Sequence, residues 1–225
     1  MGSARPLLLL FLLIASFAGA KAASASSSSA TVSFTFDFPQ SSPQHYVVVV
    51  DSSGKATYTS GLANVQSSND DSEQPYRYEF TISPATRERI FDLAARAHYF
   101  SENVNYDKHN IANTGAKTLA YKDGQRSTEA KYNYTTNPAV QQLTTLFQNI
   151  SNTLEFGRRL DYAYRYQKLA LDEQLKKMEE AAKQNGLSEG QAIAPILKQI
   201  AGDRSVMNVT RARAERLLGE AGGSH

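Results

Sequence analysis

The chain has no cysteine and no tryptophan among its 225 residues. The missing thiols exclude cysteine nucleophiles, disulfide exchange and every cysteine-ligated metal or cluster site. An exported chain of this size without disulfides relies on its core alone. Charge of one sign is also scarce. Lys and Arg number 24 against 22 Asp and Glu, for a formal net charge of +2, too near neutral for a dedicated nucleic-acid binder. Long apolar runs are lacking too. Leu7 to Ala18 is uncharged and apolar, but its length of about 12 residues falls short of the roughly 20 needed to span a bilayer.

That run reads instead as an export signal. Met1 to Arg5 supplies one positive side chain plus the amino terminus. Ala18-Gly19-Ala20 and Ala20-Lys21-Ala22 each offer the small-x-small pattern that signal peptidase needs. Residues 1–20 are therefore expected to be a signal peptide, cleaved between Ala20 and Ala22. The mature chain would be periplasmic or extracellular and not an integral membrane protein. Residues 21–30 are almost pure serine and alanine and read as a linker. The whole chain is 41% hydrophobic and 20% charged, the balance of a globular protein. Its 12 tyrosines and 10 phenylalanines supply aromatic bulk.

Periodicity divides the mature chain into an α+β domain at 31–156 and a helical extension at 157–225. Val32, Phe34, Phe36 and Phe38 alternate with Ser33, Thr35 and Asp37, a half-buried strand. Tyr46 to Val50 is a short, continuous β-branched run, so a buried strand. Gly54 turns the chain into Lys55 to Ser60, and Leu62 to Pro75 is an exposed acidic loop. Tyr76, Tyr78, Phe80 and Ile82 mark another amphipathic strand. Ser83-Pro84 then starts a helix reaching about His98. Asp123-Gly124 joins a hairpin of Ala116–Tyr121 and Arg126–Tyr134. The expectation is an antiparallel sheet of five or six strands with one covering helix, followed by a long-helix or helical-hairpin extension.

Asn137-Pro138 opens the extension's first helix. Leu143, Phe147, Ile150 and Leu154 form a stripe that Leu171, Leu175, Met178 and Ala182 resume. One helix from Pro138 to Gln184 would be about 70 Å long, so a bend is expected near Gly157. Asn185 to Leu187 favours an antiparallel helical hairpin, with Ser188 and Gln191 as a capping box. Asn208 starts a last helix through Leu218, before a frayed tail. Asp161/Arg165, Asp172/Lys176, Glu173/Lys177 and Glu179/Lys183 stand four apart with the acid first, as on a solvated helix. Arg211, Arg213 and Arg216 read as another solvated face.

Ile82-Ser83-Pro84, Arg89-Ile90-Phe91-Asp92-Leu93, Tyr99-Phe100, the run from Asn113 to Tyr121, Leu143 to Phe147 with Ile150-Ser151, and Arg211 to Leu218 stand out as segments. Together they resemble an uncharacterised family of exported bacterial proteins. The resemblance spans Tyr76 to Leu218. It implies a bacterial exported protein and brings no activity with it. Sequons at Asn133, Asn149 and Asn208 matter only in a host that glycosylates.

Few residues suggest chemistry. Gly115-Ala116-Lys117-Thr118 lacks the glycines and the following helix of a phosphate-binding loop. Asp70, Asp71 and Glu73 lack the calcium-loop pattern, and no nucleophile elbow occurs. His98, Asp107 and His109 are the candidate metal or acid–base groups. Tyr99, Phe100, Tyr106, Tyr162, Tyr164 and Tyr166 are candidate contact aromatics. Leu171, Leu175 and Met178 extend the apolar stripe past what the first domain can cover. The leading expectation is therefore a non-enzymatic envelope protein acting through protein contact or self-association, with no cofactor. A hydrolase or metal-dependent enzyme at the 99–113 loop and a cell-wall glycan-binding module are the alternatives. Mass spectrometry of the secreted chain is expected to show a mature amino terminus at Lys21 or Ala23, and an intact Met1 would refute the signal.

Overall fold

The computed structural model describes residues 1, 29–61, 75–106, 108 and 110–223. The expected signal peptide, nearly all of the linker and the acidic loop at 62–74 lie outside the described residues, as do Asp107 and His109.

Six strands form one antiparallel sheet: β1 (Thr31–Asp37), β2 (His45–Asp51), β3 (Lys55–Gly61), β4 (Tyr76–Thr81), β5 (Ala116–Lys122) and β6 (Ser127–Tyr132). Their order is β4-β3-β2-β1-β5-β6. Because side chains alternate between faces, the register decides where the bulk goes. Val32, Phe34 and Phe36 pair with Val50, Val48 and Tyr46 on one side, and with Tyr121, Leu119 and Lys117 on the other. One face thus collects the large apolar side chains.

Two helices cover that face, α1 (Pro84–Arg96) and the first part of α2 (Pro138–Tyr166). Phe34 and Phe147 of α2 stack with centroids 5.4 Å apart. Capping follows the sequence pattern at both starts. The Thr86 amide donates to Ser83 Oγ at 3.3 Å, and the Ala139 amide donates to Asn137 Oδ1 at 2.9 Å. α1 ends at Arg96 rather than His98. His98, Tyr99 and Phe100 have φ of 51°, 53° and 62°, a left-handed turn.

The bend expected at Gly157 does not occur. α2 runs unbroken for 29 residues, and the break falls at Gln167, so the expected boundary between 156 and 157 lies inside one helix. Glycine serves close approach here. A Cβ at position 157 would lie 2.5 Å from Ile193 Cγ2. A short turn at Lys168–Ala170 leads into α3 (Leu171–Lys183), and α4 (Ala194–Gly202) and α5 (Asn208–Gly223) follow.

These helices close on themselves. α5 packs against both α3 and α4 and replaces the expected α3–α4 hairpin. Leu171, Leu175 and Met178 are 0%, 0% and 2% exposed and join one core with Leu197, Ile200, Ala214 and Leu217. The expectation that this stripe reaches an outside partner is overturned, because the chain's own helices bury it. Asp161–Arg165 and Glu173–Lys177 pair within their helices at 3.0 and 2.7 Å. Asp172 and Glu179 turn instead to α5. Arg213 donates to Asp172 at 3.0 Å and also to Glu179, and Arg216 donates to Glu179 at 2.7 Å. Arg213 and Arg216 therefore tie α5 to α3, Arg213 from a mostly covered position and Arg216 from an exposed one. The Ser188 amide donates to Thr153 Oγ1 at 3.1 Å, so no capping box forms. α5 continues to Gly223, past the expected end at Leu218.

Gly157→Ala is expected to lower stability by about 1–2 kcal/mol through overpacking, although alanine is otherwise the better helix former. With Ile193→Ala already present, the same change is expected to be neutral or stabilising in denaturant melts.

Candidate functional site

The left-handed turn after α1 sorts the first group of candidates. Such a turn costs an L-residue about 1–2 kcal/mol per position, so something must hold it. Phe100 does: it is 1% exposed and belongs to the core, not to a contact surface. Tyr99 packs on Tyr121 at 4.7 Å, Arg126 lies over its ring at 4.4 Å, and its carbonyl accepts from the Thr128 hydroxyl. The Tyr106 amide donates to the Tyr134 carbonyl at 2.9 Å, and their rings meet edge-on at 5.8 Å.

His98 remains on the surface. Its Nδ1 lies 2.7 Å from Glu102 Oε1, with the side chains 66% and 69% exposed. The pair borders a cleft of about 330 Å³ lined in part by Arg96, Asn105, Thr136 and Asn137. A histidine beside a carboxylate is a pairing that general bases use, but no described hydroxyl bonds to this ring. Among the described residues no cluster of three His, Asp or Glu side chains is placed to hold a metal ion.

The α2 tyrosines do not share one face. Tyr162 and Tyr166 are 55% and 71% exposed, with rings 5.2 Å apart. Tyr164 lies two positions away, on another side of the helix. It donates to Asp203 Oδ2 at 3.0 Å, and Lys168 donates to the same oxygen at 2.7 Å. The Lys168 ammonium and the Ser205 amide hold the Asp203 carboxyl below the usual carboxylate range. Tyr164 is thus a tie between helices, and the exposed pair alone offers a stacking surface.

Glu155 and Lys117 are among the buried polar groups that the sequence does not announce. Glu155 is 3% exposed and accepts from Tyr58 Oη at 2.9 Å, Ser60 Oγ at 2.7 Å and Arg158 Nη2 at 2.8 Å. Its only signal in the sequence is an acid set between Leu154 and Phe156. Lys117 is 6% exposed and donates to the carbonyls of Thr114, Gly115 and Asn133 at 2.9–3.1 Å, while burial pushes its pKa down. Its ammonium therefore faces carbonyls, not a phosphate. Gly115 has φ +92°, and a Cβ there would strike the Phe36 ring at 2.7 Å. Both groups have their hydrogen bonds filled by the fold.

The remaining surface of interest is the sheet face opposite the helices. Register aligns two rows across all six strands. One reads Glu79, Thr57, Val49, Ser33, Ala120, Glu129, and the next reads Arg77, Thr59, Val47, Thr35, Thr118, Lys131. The eight inner side chains are uncharged, small or β-branched, and partly exposed. Charges stand only at the row ends. Arg77 pairs with Glu79 at 2.8 Å and Lys131 with Glu129 at 3.2 Å, all four well exposed. Val47 and Val49 belong to a strand that the sequence marks as buried. The structure instead puts them mid-face, where no described helix reaches.

Compared with known proteins, the chain matches no family model and no curated protein.

The covered face makes its own prediction. Burial pushes the hydroxyls of Tyr46, Tyr58 and Tyr132 well above the ordinary tyrosine value and that of Tyr76 up to about 12. The unfolded chain loses these protons near pH ~10 while the folded chain keeps them. Their contribution is complete below pH ~10 and is lost above it, at about 1.4 kcal/mol per pH unit for each of the buried Tyr46, Tyr58 and Tyr132 and less for the half-exposed Tyr76, which solvent screens. Alkaline titration is expected to ionise these tyrosines together with loss of the fold, and Tyr132→Phe is expected to make the fall shallower.

Proposed function

We propose that the mature chain is an exported, non-enzymatic protein that works by protein contact, and that the contact surface is the open face of the sheet. One observation carries this reading: Val47 and Val49, on an interior strand, project onto a face that no described helix covers. A strand apolar on both sides belongs to a sheet covered on both sides. Around the two valines stand Ser33, Thr35, Thr57, Thr59, Thr118 and Ala120, and in these two central rows the charges stand only on the edge strands. Depletion of charge at the centre with a polar rim is the composition of a protein interface. The apolar stripe of the helical region gives this reading no support, being spent inside the chain. Export rests on the leader pattern of residues 1–22 and on the resemblance to exported bacterial proteins. No described helix is long and apolar enough to cross a membrane.

A photo-crosslinking side chain placed at Val49 is expected to capture protein in secreting cells. The same group at Lys176, on the exposed side of α3, is expected to capture none. Thr57→Arg should abolish the Val49 adduct. Failure to form any adduct from Val49 would refute the proposed contact surface.

A further inference from the structure

We propose that the occupant of the open face is a second copy of this chain, docked about a two-fold axis that runs across the strands between the two central rows. This rests on the reading of that face as a protein contact surface and adds the partner and its orientation.

The charge pattern selects the partner. Glu79 and Glu129 end one row, at opposite edges of the sheet, and Arg77 and Lys131 end the next. A two-fold axis across the strands lays each row on the other row of the second copy. Glu79 then faces the partner's Arg77, and Glu129 faces the partner's Lys131. Val49 faces the partner's Val47, and Thr57 faces the partner's Thr59. The flanking rows also agree. Asp51 comes opposite the partner's His45, Lys122 opposite the partner's Ala116, and Lys55 opposite the partner's Gly61. No like charges meet.

The other way to stack two copies fails on the same residues. An axis parallel to the strands lays each row on its own equivalent with the edges exchanged. Glu79 then faces the partner's Glu129, and Arg77 faces the partner's Lys131. Like charges so opposed disfavour that register. An interface that matches itself in one register and repels itself in the other is what a closed two-fold dimer requires.

The area is sufficient. Six strands of up to seven residues cover about 550 Å² of flat surface at ~4.8 Å between strands and ~3.3 Å per residue. Two copies bury roughly 1,100 Å², above the ~1,000 Å² a specific interface needs. Aligned packing of two such faces makes a sandwich with a thin core of Val, Thr, Ser and Ala.

Sedimentation or light scattering of the purified mature chain should give twice the chain mass. Glu129→Lys places a positive charge opposite the partner's Lys131 and is expected to weaken the dimer on the order of tenfold. Adding Lys131→Glu to it restores complementarity across the two-fold and is expected to restore the dimer. Both residues are well exposed, so far-ultraviolet circular dichroism and melting should stay unchanged. A strictly monomeric chain would overturn the proposal, and so would a dimer that Glu129→Lys strengthens, which marks the strand-parallel axis. A dimer indifferent to both Glu129→Lys and Val49→Arg lies on another surface and equally overturns it. A monomer that still forms a Val49 adduct with a different protein leaves the contact surface standing and removes only the second copy as its occupant.

Discussion

How α2 lies on the sheet governs the rest of the molecule, and the buried carboxylate of Glu155 fixes it. A carboxylate taken out of water is costly unless several donors meet it. Here two donors come from β3, Tyr58 and Ser60, and one from the helix itself, Arg158. The Phe34–Phe147 stack and the Tyr132–Thr144 hydrogen bond of 2.5 Å anchor the earlier part of the helix. Sliding α2 by one turn would strand the carboxylate and break the stack together. With α2 so held, its later turns present Gly157 to Ile193, and the C-terminal helices assemble on that contact. The sheet-covering body and the helical region are two ends of one rigid element.

The strands were legible because their signal is local. Alternation of period two places Phe34 inward and Ser33 outward whatever the partner strand; burial alternates along β2 as well, although its continuous apolar run does not announce it. Caps at Ser83 and Asn137 are equally local, since the acceptor lies within three residues of its donor. Helical stripes say less. Leu171, Leu175 and Met178 announce that a face is buried, but not by what. The covering residues lie up to forty or so positions downstream, in α4 and α5. Asp172 and Glu179 show the same limit: each had a lysine four residues on, and each chose an arginine on α5.

Gly157 was misread because a mid-helix glycine has two physical meanings, a weak point or a place for close approach, and only the position of Ile193 decides between them. Glu155 was missed for a related reason. An acid within an apolar stripe reads as solvated until the folded sheet supplies Tyr58 and Ser60, nearly a hundred residues away in the chain. The left-handed turn at His98 to Phe100 carries no glycine to announce it. It is forced by the need to seat Phe100 in the core.

The continuous apolar character of β2 implies a buried strand, and the folded chain covers one of its faces. The edge charges sharpen the question this leaves. Exposed pairs such as Arg77–Glu79 and Glu129–Lys131 contribute about 0–1 kcal/mol each to folding, so stability does not account for their placement. Charges on edge strands discourage edge-to-edge pairing, which explains why charge stands there but not why acids share one row and bases the next. Alternation in row and in sign matters only to something lying across the face. Small side chains over the centre supply area without discrimination, whereas charges at the corners select orientation. The open face thus divides its labour as an interface does, with adhesion in the middle and register at the rim.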